Sequence, residues 1–219
     1  MKTALIAPSL LSANFAHLSD DIHIVQEAGA DWLHFDVMDG HFVPNISFGL
    51  PVLKDIATCH NMVNDVHIMI SNPKEFAKQF VEAGADYLTF HYEACQSDSE
   101  VFEIIDIIHK AGGKAGLSVK PETPISVVFP FLYSLDLVLI MSVEPGFGGQ
   151  TFIADSLAKI LRLRNYIDEN ELKTLIEVDG GINEETSRQC RKMGVDVLVA
   201  GSFVFGASDV KKAIEELKV

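Results

Sequence analysis

Positive charge is what this sequence has least of. Lys and Arg together number 17 against 31 Asp and Glu, a formal net charge of −14 over 219 residues. A surface so acidic repels nucleic acid and anionic membranes, so neither is an expected partner. Cysteine is also scarce: Cys59, Cys95 and Cys190 are odd in number and widely spaced, with no C-x-x-C pair. That excludes a disulfide framework or a cysteine-type zinc site, and it points to ordinary thiols in a reducing, cytoplasmic setting. No apolar run is long and clean enough to span a bilayer. The nearest, Ile125 to Val143, is interrupted by Pro130 and Asp136. Met1 to Ala7 is too short for a secretory leader, because Pro8 and Ser9 break it. A glycine-rich dinucleotide fingerprint after the first strand is missing too: that place is taken by Pro8-Ser9-Leu10-Leu11-Ser12.

What is present is an ample core and a repeated junction. Hydrophobic residues make up 48% of the chain, enough for one large folded domain. Glu27-Ala28-Gly29-Ala30-Asp31, Glu82-Ala83-Gly84-Ala85-Asp86 and Lys192-Met193-Gly194-Val195-Asp196 each lead into an apolar run, and Lys110-Ala111-Gly112-Gly113-Lys114 is a looser copy. Each reads as a helix closed by a glycine C-cap and followed by a strand apolar on both faces, the mark of a parallel sheet covered by helices. Strands are predicted at Leu5–Ser9, Trp32–Val37, Asp65–Met69, Tyr87–His91, Lys114–Val119, Leu137–Met141, Leu175–Asp179 and Val197–Ala200. Helices are predicted at Ala16–Ala28, Leu50–Ala57, Pro73–Ala83, Glu100–Ala111, Ile125–Leu132, Ile153–Ile167, Glu184–Met193 and Asp209–Leu217. Eight strand–helix units predict an α/β fold, a single (β/α)₈ TIM barrel over residues 1–219, with its chemistry at the C-terminal strand ends.

Polar residues at those ends are the candidate site. His34, Asp36 and Met38 alternate onto one face of the second strand, His67 and Met69 share a face of the third, and Asp179 tips the seventh. Two imidazoles and two carboxylates suit one Zn²⁺, Fe²⁺, Mn²⁺ or Co²⁺ ion. Singly, each such residue is more often a loop anchor; the set at one mouth is what points to a metal. Met38, Met69 and Met141 end apolar strands, where core packing is the default and a polarizable cap over a reacting carbon is the sharper alternative. Glycine-rich turns follow the last three strands, at Glu144-Pro145-Gly146-Phe147-Gly148-Gly149-Gln150, Gly180-Gly181 and Gly201-Ser202. None contains Lys or Arg, so an anion held there is gripped by backbone N–H groups.

Three of these stretches, Asp36-Val37-Met38-Asp39-Gly40-His41-Phe42-Val43-Pro44-Asn45, Glu144 to Gln150 and Glu177-Val178-Asp179-Gly180-Gly181, resemble the signature of the ribulose-phosphate 3-epimerase family. The resemblance runs from Ala7-Pro8-Ser9 to Ala200-Gly201-Ser202. It implies a divalent metal on His34, Asp36, His67 and Asp179, with Asp36 and Asp179 as the acid–base pair. It further implies substrate contacts from Ser9, His67 and Asp179, a phosphate end held by Gly146, Phe147, Gly148, Gly149, Gly180, Gly181, Gly201 and Ser202, and a possible enediolate cap of Met38, Met69 and Met141. The implied partner is a small sugar phosphate, and a homo-oligomer is expected. Related alternatives are an epimerase of a ketohexose 6-phosphate such as allulose 6-phosphate, and a phosphosugar-binding barrel without catalysis. A barrel decarboxylase or synthase is disfavoured, because its Asp-x-Lys-x-x-Asp stretch is matched here by Asp36-Val37-Met38-Asp39, without the Lys. Should the two Asp fail as bases, His41 and His91 are the next candidates.

Overall fold

The computed structural model describes residues 3–219; Met1 and Lys2, at the head of the segment judged too short for a leader, lie outside the described residues. Eight parallel strands, β1 (Leu5–Pro8), β2 (Trp32–Met38), β3 (Val63–Met69), β4 (Tyr87–His91), β5 (Lys114–Val119), β6 (Leu137–Met141), β7 (Leu175–Asp179) and β8 (Val197–Ala200), pair in the order β1-β8-β7-β6-β5-β4-β3-β2. The Ser9↔His34 bridge joins β1 to β2 and brings the sheet round to a nearly closed barrel. The outer layer comprises α1 (Leu18–Glu27), α2 (Leu50–Ile56), α3 (Pro73–Glu82), α4 (Asp98–Lys110), α5 (Ser156–Glu169), α6 (Glu184–Lys192), α7 (Ser202–Phe205) and α8 (Val210–Lys218). This is the (β/α)₈ barrel expected from the strand count.

Two local expectations change. Ile125–Leu132, predicted as a helix, is a 3₁₀ run over Ile125–Ser134 with Pro130 inside it. Proline lacks an N–H and crowds the preceding turn, so α-helical pairing cannot propagate through the segment. The four-residue α7 was not foreseen, being too short to show a helical period. Elsewhere the caps move the ends. Ser97 accepts from Glu100 N and starts α4 at Asp98, and a separate 3₁₀ turn at Phe15–His17 delays α1 to Leu18.

The repeated junctions carry a second device besides their glycines. Gly29, Gly84, Gly112 and Gly194 do take the positive φ of a helix C-cap. Beyond that, an aspartate stands just before each even-numbered strand and clamps the strand before it. Asp31, Asp86, Asp136 and Asp196 accept, through Oδ2, the backbone N–H of Ile6 (2.9 Å), Asn64 (2.8 Å), Ala115 (2.8 Å) and Ile176 (3.0 Å). Their own N–H groups donate to the carbonyls of the same four residues at 2.9–3.0 Å. Every clamp therefore ties an odd strand to the next even one at the N-terminal end of the barrel.

Between sheet and helices lies the main core, including Phe35, Phe90, Phe131, Ile104 and Leu163. Inside the barrel, Ala7, Trp32, Tyr87, Leu137, Leu139, Val197 and Val199 form an apolar plug, with Trp32 and Tyr87 stacked at 4.5 Å. That plug closes the lower end, so polar groups on β2, β3, β4 and β7 are confined to the upper interior.

Candidate active site

Alternation along the strands selects the inward residues. On β2 they are His34, Asp36 and Met38; on β3 they are Asp65, His67 and Met69; Glu177 and Asp179 share the inner face of β7. Register sets His34 beside Asp65, and Asp36 beside His67. One ligand atom from each of His34, Asp36, His67 and Asp179 lies within 4.8 Å of all the others. His34, Asp36 and His67 are buried, whereas Asp179 is partly open to the cleft.

The hydrogen bonds show what charge this cluster favours. His34 Nδ1 is 2.5 Å from Asp65 Oδ2, and an ionised carboxylate only accepts, so Nδ1 carries the proton. The ring's other nitrogen, Nε2, faces Asp36 Oδ1 at 3.2 Å, bare in the neutral ring and a donor in the imidazolium. His67 Nδ1 approaches the same oxygen at 3.1 Å. Asp36 Oδ2 is occupied by the Ser9 hydroxyl, which donates at 2.7 Å. A neutral His34 in this tautomer would set a lone pair against an anionic oxygen, an arrangement relieved by positive charge, as a proton on the ring or a bound cation. The donor set, two imidazole nitrogens and two carboxylates, fits a divalent cation.

Titration follows the same logic. Burial works against a charged His34, but the charges of Asp36 and Asp65 outweigh it and raise the imidazole well above its usual range. Burial would raise Asp36, yet the two imidazoles hold it far below the usual carboxylate range. Asp179 goes the other way: burial, and next the charge of Asp36, push it up to about 7. Glu177 is raised well above normal by burial and by Asp65. Two carboxylates at one mouth thus have their affinities for a proton driven apart, which is how an acid and a base are made from the same side chain.

Above the carboxylates a cleft with a cavity volume of about 60 Å³ is lined by Ser9, Met38, Met69, Met141 and the glycine turns. No Lys or Arg is among its lining residues, which are all described ones. Gly180 and Gly181 have φ of 122° and 63°, and a Cβ on either would lie 2.5 Å from Val143 Cγ2 or 2.4 Å from Phe152 N. Only glycine fits both, and backbone is what the turn presents to the cleft. Gly201 is less confined: its φ is −95°, and the nearest atom to a Cβ there would be the rotatable Ser12 hydroxyl at 2.4 Å. Phe147 sits exposed on the Gly146–Gly149 turn. A strap crosses the mouth: Asn45 Nδ2, from the loop after β2, donates to Gly146 O, from the loop after β6, at 2.9 Å.

Several site residues escaped the sequence reading: Ser12, Asp65, Glu177, Glu93 and, as anything more than a reserve base, His91. His91 is fully buried, with Nε2 2.9 Å from His67 Nε2. His41 is exposed, its ring 3.0 Å from Asp39 O, and it belongs to the loop rather than the cleft. Period-two counting down β3 and β7 from His67 and Asp179 finds Asp65 and Glu177 at once. No such signal marks Glu93, which lies in a 3₁₀ turn.

Fold and site together define a (β/α)₈-barrel enzyme whose mouth sets a pair of opposed-affinity carboxylates beside glycine turns. The chain belongs to the ribulose-phosphate 3-epimerase family, whose model matches residues 5–205; these enzymes are carbohydrate epimerases, in the isomerase class. It is 50% identical over 214 residues to the ribulose-phosphate 3-epimerase of Mycobacterium leprae, covering 98% of this chain and 93% of that one. Identity to the Bacillus subtilis ribulose-phosphate 3-epimerase is 46% over 214 residues, covering 97% of each. A 3-hexulose-6-phosphate synthase structure from Salmonella typhimurium superposes with a TM-score of 0.72, over 100% of this chain and 97% of that one. At 20% identity that likeness concerns the fold alone. None of the described helices is long and apolar enough to cross a membrane.

Proposed function

We propose that this chain interconverts D-ribulose 5-phosphate and D-xylulose 5-phosphate by inverting C3, with residues 1–219 as one catalytic domain. The observation that carries the reading is the meeting of Asp36, on β2, and Asp179, on β7, at one mouth beneath a cleft of glycine turns, with their affinities for a proton driven apart. Inversion next to a ketone needs a base on one face of the carbon and an acid on the other. Asp36 takes the C3 proton from one epimer, and Asp179 delivers its proton to the opposite face of the enediolate. In the reverse direction they exchange roles. Ser9 orients Asp36 through its hydrogen bond. Met38, Met69 and Met141 cover the reacting carbon with apolar, polarizable side chains and keep water from it.

His34, Asp36, His67 and Asp179 would hold one divalent ion per subunit, Fe²⁺, Zn²⁺, Mn²⁺ or Co²⁺. Bound there, it would supply Lewis-acid stabilisation of the negative charge that develops on the substrate oxygens. Backbone N–H groups of the turns at Gly146–Gly149, Gly180–Gly181 and Gly201–Ser202 hold the phosphate, in keeping with a cleft that has no basic side chain. The names and identities of the relatives support the pentulose phosphate substrate. A cytoplasmic homo-oligomer in the pentose phosphate pathway completes the proposal.

The test is turnover of D-ribulose 5-phosphate by metal-loaded protein, with allulose 6-phosphate alongside and C3 proton exchange followed in deuterated water. Asp36→Asn and Asp179→Asn are each expected to slow epimerisation by at least about 10²–10⁴-fold. Full activity in rigorously chelated protein, or near wild-type inversion by either metal-loaded variant, would overturn the mechanism. A higher kcat/KM on the hexulose would overturn the substrate.

A further inference from the structure

His67 is the one candidate ligand whose far nitrogen does not meet a carboxylate. His34 is backed directly by Asp65, whereas His67 Nε2 meets another imidazole, His91 Nε2, at 2.9 Å. The chain continues outward: His91 Nδ1 is 3.2 Å from Glu93 Oε2. Glu93 Oε1 in turn accepts the backbone N–H of Lys120 at 2.7 Å and the Thr123 hydroxyl. The turn after β5 thus holds the far end of a line that begins at Asp36. Lys159 braces the 120–123 turn by donating to the carbonyls of Lys120 and Thr123 at 3.1 and 2.7 Å.

Hydrogen-bond direction along this line is fixed from its outer end. Glu93 is an acceptor at both oxygens, so His91 Nδ1 must donate to it. A neutral His91 then has a bare Nε2, which must accept from His67 Nε2. His67 thereby carries its proton on Nε2, and its Nδ1 is left bare toward Asp36 and Asp179. We infer that Glu93 and His91 are positioning residues that fix the tautomer of His67 and so present its Nδ1 as a cation ligand. This rests on the metal reading of the site, and it adds two residues to it that touch neither metal nor substrate.

Glu93→Gln is the decisive substitution, because it keeps shape and reverses direction. The Lys120 N–H can only donate, so the amide oxygen of the glutamine must face it. That turns the amide NH₂ toward His91 Nδ1. His91 must then carry its proton on Nε2 and donate to His67 Nε2, which forces the His67 proton onto Nδ1 and blocks the ligand. Outer-sphere changes of this kind cost about 10–100-fold in metal affinity.

The experiment titrates full-length wild-type, Glu93→Gln, Thr123→Val and His91→Phe proteins with Co²⁺ alone, reading its visible absorption. Nitrogen-15 spectra of labelled histidines, taken with Zn²⁺, report which ring nitrogens are protonated. Glu93→Gln is expected to bind Co²⁺ about 10–100-fold more weakly, with the His91 proton moved to Nε2. Thr123→Val keeps the Lys120 contact, so its affinity should stay within about twofold of wild type, separating direction from mere packing. His91→Phe, a ring of similar size beside Phe42 (4.7 Å from His91), removes the acceptor and should weaken binding in the same sense if Glu93→Gln fails to fold. Unchanged Co²⁺ affinity and tautomers in folded Glu93→Gln, or in His91→Phe in its place, would overturn the inference while leaving the metal site standing. A wild-type protein that takes up no Co²⁺ would overturn the site and the inference together.

Discussion

At the scale of single residues, the site is organised around unequal demands for a proton. In the metal-free cluster Asp179 is raised to about 7 and Asp36 is held far below the usual range, so protons compete with an entering cation at Asp179 before they do at Asp36. Apparent metal affinity should therefore fall as the pH drops below about 7, and go on rising above it as the His34 imidazolium gives up its proton. The pair titrates jointly, so the break observed belongs to the pair. For the metal-free protein the sign is opposite in consequence. A carboxyl that holds its proton more tightly when folded contributes stability at low pH that is lost as pH rises through about 7. Glu93, lowered to about 2 against burial by its hydrogen bonds to His91, Thr123 and Lys120, contributes stability above its unfolded value that is lost in acid. Metal titrations from pH 5 to 8 check the first expectation; affinity that stays flat across that range would contradict it. His34, Asp36, His67 and Asp179 are conspicuous in the sequence because they interrupt apolar strands near their ends. What the sequence hides is direction: which nitrogen of His67 is bare depends on Glu93, and on a backbone N–H from a third element.

Among the elements, the clamp aspartates decide how strands meet. Asp196 accepts from the buried Ile176 N–H and pairs with Arg164 at 3.2 Å. Asp196→Ala would leave that N–H without its acceptor, a loss of about 1–3 kcal/mol. Because the clamp lies at the end of the barrel away from the cleft, kcat/KM in the folded variant should be unchanged. Urea midpoints and initial rates test the two halves separately, and equal loss of both would show that the two ends are coupled. The sequence displays these aspartates in three of its repeated junctions, Gly29 to Asp31, Gly84 to Asp86 and Gly194 to Asp196, where the glycine draws attention to the helix end. Asp136 follows a 3₁₀ run with no such glycine, and only the structure groups it with the others. The same run shows where hydropathy misleads: Ile125 to Leu132 has the apolar content of a buried helix, and Pro130 decides its form.

For the whole molecule, the acidic balance and the anionic substrate proposed for it have the same sign. A cleft without basic side chains in a protein of net charge −14 offers no long-range attraction to a sugar phosphate. Added salt screens repulsion here rather than attraction. From about 20 to 150 mM inert monovalent salt, kcat/KM should hold steady or rise. A several-fold fall would reveal steering by basic groups outside the cleft. The barrel itself was legible from composition and spacing, because eight doubly apolar strands separated by capped helices leave few other ways to bury both faces of a parallel sheet.

The four clamps divide that barrel into quarters. Each carboxylate joins β1 to β2, β3 to β4, β5 to β6 or β7 to β8; to the odd strand that follows, the same residues offer only a backbone carbonyl, Asp86 to Lys114, Asp136 to Leu175 and Asp196 to Leu5. The closing seam is also where the ends of the chain meet: Lys218, in the last helix, pairs with Asp31 at 2.8 Å and donates to Gly29 O. A circular permutant opened at 112–113 passes between two quarters and leaves every clamp within an unbroken strand–helix–strand segment. One opened at 84–85 cuts the chain inside the second quarter, just ahead of Asp86. With the same linker across the old termini, the first should melt at the higher temperature. The quarter, two strands stapled by one carboxylate, would then be the unit in which this barrel can be cut, reordered or exchanged.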